Sequence, residues 1–246
     1  MKGPGDMPDS TSPAAGKARN DDPAAYLDAT YYLDFDKPEL AAYARATIGD
    51  AKTDVEKAVR LYYAVRDEFR YDPYAMQLIP AAMTASHTFR AGRGFCVNKA
   101  ALLAALARAV GIPARVGYAD VRNHLASRRF LELLKTNLFV WHGYVELYLE
   151  GRWVKCTPAF NLELCKKFNV LPLEWDGRTD SLFHPFDAAG NKHMEYVNDH
   201  GVFADVPFDA IDNGFRSLYP VFGDDGRMNM GGDFGAEGEA DRRARR

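Results

Sequence analysis

A stretch of chain with no polar face constrains this sequence more than anything else in it. In "CVNKAALLAALARAVGIPAR", Ala100, Ala101, Leu102, Leu103, Ala104, Ala105, Leu106 and Ala107 follow one another with nothing to turn toward water. Ala and Leu are strong helix formers, so the spacing predicts a helix from Cys96 to Val110. A helix apolar all round must be covered all round. Gly111 supplies a left-handed stop and Pro113 bars continuation. The covering elements must come from the rest of the chain, and 246 residues at 47% hydrophobic content suffice for one sizeable core.

Those elements are partly legible. "TDVEKAVRLYYAVRDEF" opens with Thr53 and Glu56, a capping box. Val55, Val59, Tyr62, Tyr63 and Phe69 follow at helical spacing. Asp36 and Pro38 open a shorter helix that runs to Ile48 and ends at Gly49. "ARVGYADV" reads as a strand, and Arg122 to Asn137 as a helical excursion between strands. In "LFVWHGYVELYLEGRWVKCTP", Phe139, Trp141, Val145, Leu147 and Leu149 alternate with His142, Tyr144, Glu146 and Tyr148. Period two predicts a half-buried strand with His142 on its more polar face. A two-residue loop at Glu150 and Gly151 pairs Leu149 with Arg152, hence Val145 with Cys156 and Tyr144 with Thr157. Shifting the loop to Gly151 and Arg152 changes the partners but keeps the faces, and a three-residue loop would reverse them.

Charge and cysteine usage exclude several classes. With 31 basic against 34 acidic side chains and no basic stripe, the chain lacks a nucleic-acid footprint. Its three cysteines (Cys96, Cys156 and Cys165) have no CxxC spacing, which argues against a disulfide framework and for a reducing, cytoplasmic setting. No 18-residue apolar run offers a membrane span, and the polar N-terminus has no apolar signal region. Residues 1–25 and 223–246 are rich in Gly, Pro and charge and are expected to be disordered tails around a single domain at 26–222.

Cys96 stands between Gly-Arg-Gly and the buried helix. The plain reading is a small core hydrophobe. Its position favours another: unpaired N–H groups and the positive end of the helix dipole attract an anion. Helix N-termini and imidazolium partners lower a thiol from about 8.5 to about 3.5–7.5. The glycines also let backbone approach closely, leaving N–H groups for an oxyanion.

"GxGxC…ALLxALxRAxGIPAR" followed by "WHxxVExYLxGxW" resembles the transglutaminase-like superfamily, a papain-like cysteine-enzyme core, over about residues 59–158. The resemblance implies an α+β fold in which the Cys-bearing helix packs on an antiparallel sheet, with residues 159–222 as an extension. It implies Cys96 as nucleophile and His142 as its base. The family usually carries "W-V-x-V-D-P-T" after the hairpin, and here "WVKCTPAFN" puts Thr157 where the orienting Asp is expected. A hydroxyl can accept the ring N–H but brings no charge. Asn161 is an alternative, since a neutral amide serves in papain-like triads, and Asp176 can fold back as another. Glu146 lies four residues from His142 along a strand, about 13 Å and too far. Tyr71 and Tyr74 are candidate oxyanion donors, and His87 and Trp141 candidate cleft residues.

His184, Asp187 and His193 in "FHPFDAAGNKHMEY" match no metal spacing and read as a turn between strands, so neither metal nor cofactor is expected. Cys156 and Cys165 read as core. The expected chemistry is acyl transfer through a thioester on Cys96, with a peptide, protein or small amide as substrate. Water as acceptor makes a protease-like hydrolase or amidase; an amine makes a transamidase or amide-forming enzyme. Thr157 also permits a non-catalytic binding module of the same fold. Substrate choice falls to the 122–137 excursion and the 161–222 segment; the sequence leaves oligomeric state open.

Overall fold

Pro38 and Gly49 bracket α1 (Pro38–Ile48), where Gly49 adopts φ 51° and returns its N–H to Arg45 O. α2 (Asp54–Glu68) opens with the reciprocal capping box: Thr53 Oγ1 accepts the Glu56 N–H and Glu56 Oε2 accepts the Thr53 N–H, both at 3.1 Å. There follow β1 (Arg70–Tyr71), α3 (Ala85–Ala91), β2 (Arg93–Gly94), α4 (Cys96–Ala109) and β3 (Ala114–Asn123). The chain continues through α5 (Arg128–Leu134), β4 (Leu138–Leu149), β5 (Arg152–Cys156), α6 (Leu162–Phe168), β6 (Met194–Phe203), α7 (Phe208–Leu218) and α8 (Phe234–Ala244). This computed structural model describes residues 22–124, 126–182, 194–228 and 231–244.

α4 is the axis of the molecule. Every residue from Cys96 to Arg108 is buried, with α1, α2 and α3 on one side and β3 and β4 on the other. Even its two cations are enclosed. Arg108 donates to the carbonyls of Ala114, Asp28 and Ala204, and Lys99 to three others. The main sheet has the order β5-β4-β3-β6, all neighbours antiparallel, and β1 pairs parallel with β2. The fold is α+β, as the sequence implies.

The hairpin turns at Glu150 and Gly151, at φ 50° and 83°, the left-handed pair that a tight two-residue turn requires. Val145 therefore opposes Cys156 and Leu149 opposes Arg152. β4 itself departs from simple alternation. Ala119 opposes His142 but Val121 opposes Phe139, so β4 carries an extra residue there, and Trp141 sits at φ 56°. Nor is β4 half-buried near His142: Tyr144 and Glu146 are as enclosed as Val145 and Leu147. Tyr144 fills the space that Gly117 leaves by having no Cβ. Glu146 is neutralised by Arg115 at 2.7 Å and Lys155 at 3.6 Å.

The expected C-terminal tail is instead largely structured. Asp233 Oδ1 accepts the Ala236 N–H to start α8, and Phe234 is buried against Phe130, Phe168 and Tyr71. Glu237 accepts Tyr74 OH and Ser127 Oγ, and Asp241 accepts the Arg128 N–H. Composition registers these charges as solvating; it does not register that their partners lie about a hundred residues earlier. At the other end, Pro23–Tyr26 forms a 3-10 turn that buries Tyr26 against Trp153. Gly238 lets α8 approach, because the Phe168 ring occupies the place of its missing Cβ. Gly238→Val should therefore displace that ring and cost about 1–3 kcal/mol by overpacking. An unchanged melting temperature would show that α8 does not dock there. The His184, Asp187 and His193 cluster lies outside the described residues.

Candidate active site

Cys96 opens α4 directly after β2. The turn into the helix is tight: a Cβ on Gly94 would lie 2.7 Å from Asn98 Cβ, and Asn98 Nδ2 donates to Ala82 O at 3.0 Å. The strand bearing His142 crosses the helix start just as closely. A Cβ on Gly143 would lie 3.0 Å from Cys96 O and 3.1 Å from Val97 Cα. Any side chain there would crowd the helix start, and the backbone groups of Gly143, Val97 and Cys96 all favour the ionised thiol.

Cys96 and His142 line one small apolar cavity of about 30 Å³, walled by Tyr71, Phe95, Phe130, Phe139, Phe215 and Tyr219 among others. Phe130 comes from α5, so the excursion between β3 and β4 contributes to the cavity wall. Cys96 is 7% exposed. Burial pushes its thiol up to about 11, and the three backbone donors pull the other way without overcoming it. This reverses the expectation of a lowered thiol. The helix-terminus argument is local, whereas the cavity that buries the thiol is walled in part by Phe130 of α5 and Phe215 of α7, distant in sequence.

The segment 41–158 matches the family model of the transglutaminase-like superfamily. Those residues belong to that superfamily. The chain is also similar to two solved structures. A candidate cysteine protease from Cytophaga hutchinsonii is 21% identical with a TM-score of 0.44, covering 74% of this chain and 55% of that one. A candidate protease from Parabacteroides distasonis is 18% identical with a TM-score of 0.35, covering 60% of this chain and 30% of that one. This chain thus spans little more than half the length of the first. No curated protein matches it.

Within this transglutaminase-like core, the other sequence candidates divide sharply. Tyr71 is in the Cys96 cavity. Thr157 follows β5 with its N–H on Ser181 O; it is 3% exposed, and its Oγ1 has no hydrogen-bond partner among the described residues. Asn161 lies beyond Tyr71, where its Oδ1 accepts the Tyr71 N–H at 3.1 Å. It lines a separate cavity of about 180 Å³ with Asp72, Lys167 and Asp233. Asp176 is exposed and spent on its own turn, accepting the Arg178 and Thr179 N–H groups, which hold its carboxyl below the usual range. Tyr74 points its hydroxyl to Glu237, and His87 is exposed on α3. Trp141 stacks on His200 and does not line the cavity.

Two contributors escaped the sequence. Tyr219 walls the cavity and ties β4 beside His142, accepting the Val140 N–H at 2.8 Å and donating to Leu138 O at 3.1 Å. Gly143 sets the approach of helix to strand; its place immediately after His142 was the available signal. Among the described residues, no group of three or more His, Cys, Asp or Glu side chains could hold a metal ion, and no helix is long and apolar enough to cross a membrane.

Proposed function

We propose that this chain is a cysteine-dependent acyl-transfer enzyme that acts on amide bonds through a thioester on Cys96, with water as the usual acceptor. The observation that carries the reading is the shared cavity of Cys96 and His142, with Gly143 packed closely on the backbone of Cys96 and Val97. At rest the buried thiol keeps its proton. When a substrate carbonyl enters, His142 takes that proton as sulfur attacks, forming the C–S bond. Collapse of the tetrahedral intermediate expels the amine, which leaves with the proton from His142. Water then loses a proton to His142, attacks the thioester and releases the acid, and the proton returns to sulfur. Main-chain N–H groups at the start of α4 are suited to the oxyanion. An amine in place of water gives the transamidase variant by the same steps.

A second reading, a binding module that has lost catalysis, has one specific support. Thr157 occupies the expected acid position and its hydroxyl is bonded to nothing among the described residues. Incubation with 4-nitrophenyl acetate, with and without added glycinamide, separates the readings. The enzyme reading expects nitrophenol release that depends on Cys96, with acetate as the main second product and acetylated amine where transamidation competes. Release no faster than from Cys96→Ala supports the binding module.

A further inference from the structure

The irregularity before His142 is held by groups that this reaction does not use. Trp141 adopts φ 56°, a conformation rare for a bulky side chain, at the point where the β3–β4 register slips. Asp120 stands at that slip on β3. Its Oδ1 accepts the Trp141 N–H at 3.0 Å and lies 2.6 Å from His200 Nε2, while its Oδ2 accepts Asn198 Nδ2 at 3.3 Å. The register of β3 with β6 slips at the same level, from Tyr118 opposite Gly201 to Ala119 opposite Asp199, which leaves His200 as the extra residue. His200 lies flat on the Trp141 indole, 3.9 Å between ring centroids and 7° between planes. Gly214 of α7 abuts the same indole, where a Cβ would clash with Nε1.

We propose that Asp120 is a positioning residue for His142, acting through the backbone of Trp141. The inference rests on the reading of Cys96 and His142 as nucleophile and base. Two strand irregularities, a left-handed tryptophan and three donors converge on one carboxylate whose side chain is 13% exposed. Asp120 is outside the Cys96 cavity, so it touches no reacting atom. Its acceptor oxygen fixes the extra residue of β4, and that extra residue sets where His142 and Gly143 meet the helix start. A strand that loses its bulge moves its side chains by one position, which turns each to the opposite face. The carboxylate that the family places on the strand after the hairpin is replaced by Thr157 in this chain. Asp120 follows Ala119, the residue opposite His142 on β3, and its carboxylate is engaged with the main chain of Trp141.

The test is the rate of iodoacetamide alkylation at Cys96, read by peptide mass spectrometry from pH 5 to 11. The proteins compared are wild type and the variants His142→Ala, Asp120→Ala, Asp120→Asn and His200→Gln. Asp120→Ala should lose about a hundredfold or more at pH 7, the range of a general base's contribution. Its profile should fall onto that of His142→Ala and rejoin wild type near pH 11, where solvent ionises the thiol directly. Asp120→Asn keeps an acceptor for the Trp141 N–H and should retain most of the wild-type profile. A purely structural role would lower the melting temperature and leave the profile's shape unchanged. A folded Asp120→Ala with a wild-type profile overturns the proposal. Should Asp120→Ala fail to fold, His200→Gln on the outer strand decides: a partial shift in the same direction supports the proposal and a wild-type profile overturns it. If His142→Ala itself keeps the wild-type profile, the nucleophile–base reading falls and takes this inference with it. Failure at Asp120 alone leaves the His142 effect standing.

Discussion

Lys99→Met should destabilise the protein by about 3–5 kcal/mol, because it leaves three buried main-chain carbonyls without their shared donor. Lys99 is fully buried one turn into α4. Its Nζ donates to Arg66 O at 2.9 Å, Phe69 O at 2.7 Å and Ala159 O at 2.8 Å. Two of those carbonyls end α2, where the helix has no donors of its own left to offer. The third follows Thr157 by two residues, so one ammonium joins α2, α4 and the segment after β5. Methionine keeps the stem and removes all three donors, and each buried carbonyl left unmet costs about 1–3 kcal/mol. Urea titration at pH 7 reads the effect as a lowered midpoint; a wild-type midpoint would show that these carbonyls find other partners.

The same residue gives stability a pH dependence. Burial pulls the Lys99 ammonium down to about 7, against about 10.4 in an unfolded chain. The unfolded state therefore binds more protons in that window, and stability from this group rises with pH between about 7 and about 10.4. The full penalty is present below the folded value. Lys99→Met should lack that slope.

Cys96→Ala should abolish acyl transfer while leaving the fold intact. Loss of a nucleophile costs about a thousandfold or more, whereas alanine suits the helix start and removes a single atom. The stability change should stay within about 1 kcal/mol, and a melting curve checks it. Cys156 and Cys165 are buried and do not line the cavity, so their alanine variants should keep activity and lose only stability. A fully active, folded Cys96→Ala would remove the proposed nucleophile.

What could be read from the sequence is what local rules decide. The capping box at Thr53, the stop at Gly111 and the turn at Glu150–Gly151 each depend on a few adjacent residues, and each stands as the spacing implies. The helix from Cys96 was legible because a faceless apolar run has one solution. The bulge at Trp141 was not, because an inserted residue leaves no mark on a period-two pattern whose far end still alternates. Asp120 and His200 escaped for the same reason, since their partners are on neighbouring strands. Asn161 and Asp176 were placed by residue type alone, and tertiary contacts assign one to the Tyr71 backbone and the other to a surface turn. α8 was missed because its neutralising partners, Tyr74, Ser127 and Arg128, are invisible to composition.

The central claim is a covalent acyl-enzyme on Cys96. Acid quenching within seconds of mixing with 4-nitrophenyl acetate, followed by intact-mass and peptide mass spectrometry, tests it directly. The account predicts one added acetyl group, mapped to the peptide containing Cys96, released by neutral hydroxylamine as a thioester, and absent from Cys96→Ala. Nitrophenol release by wild type with no adduct at Cys96, or with the same adduct level in Cys96→Ala, would contradict it.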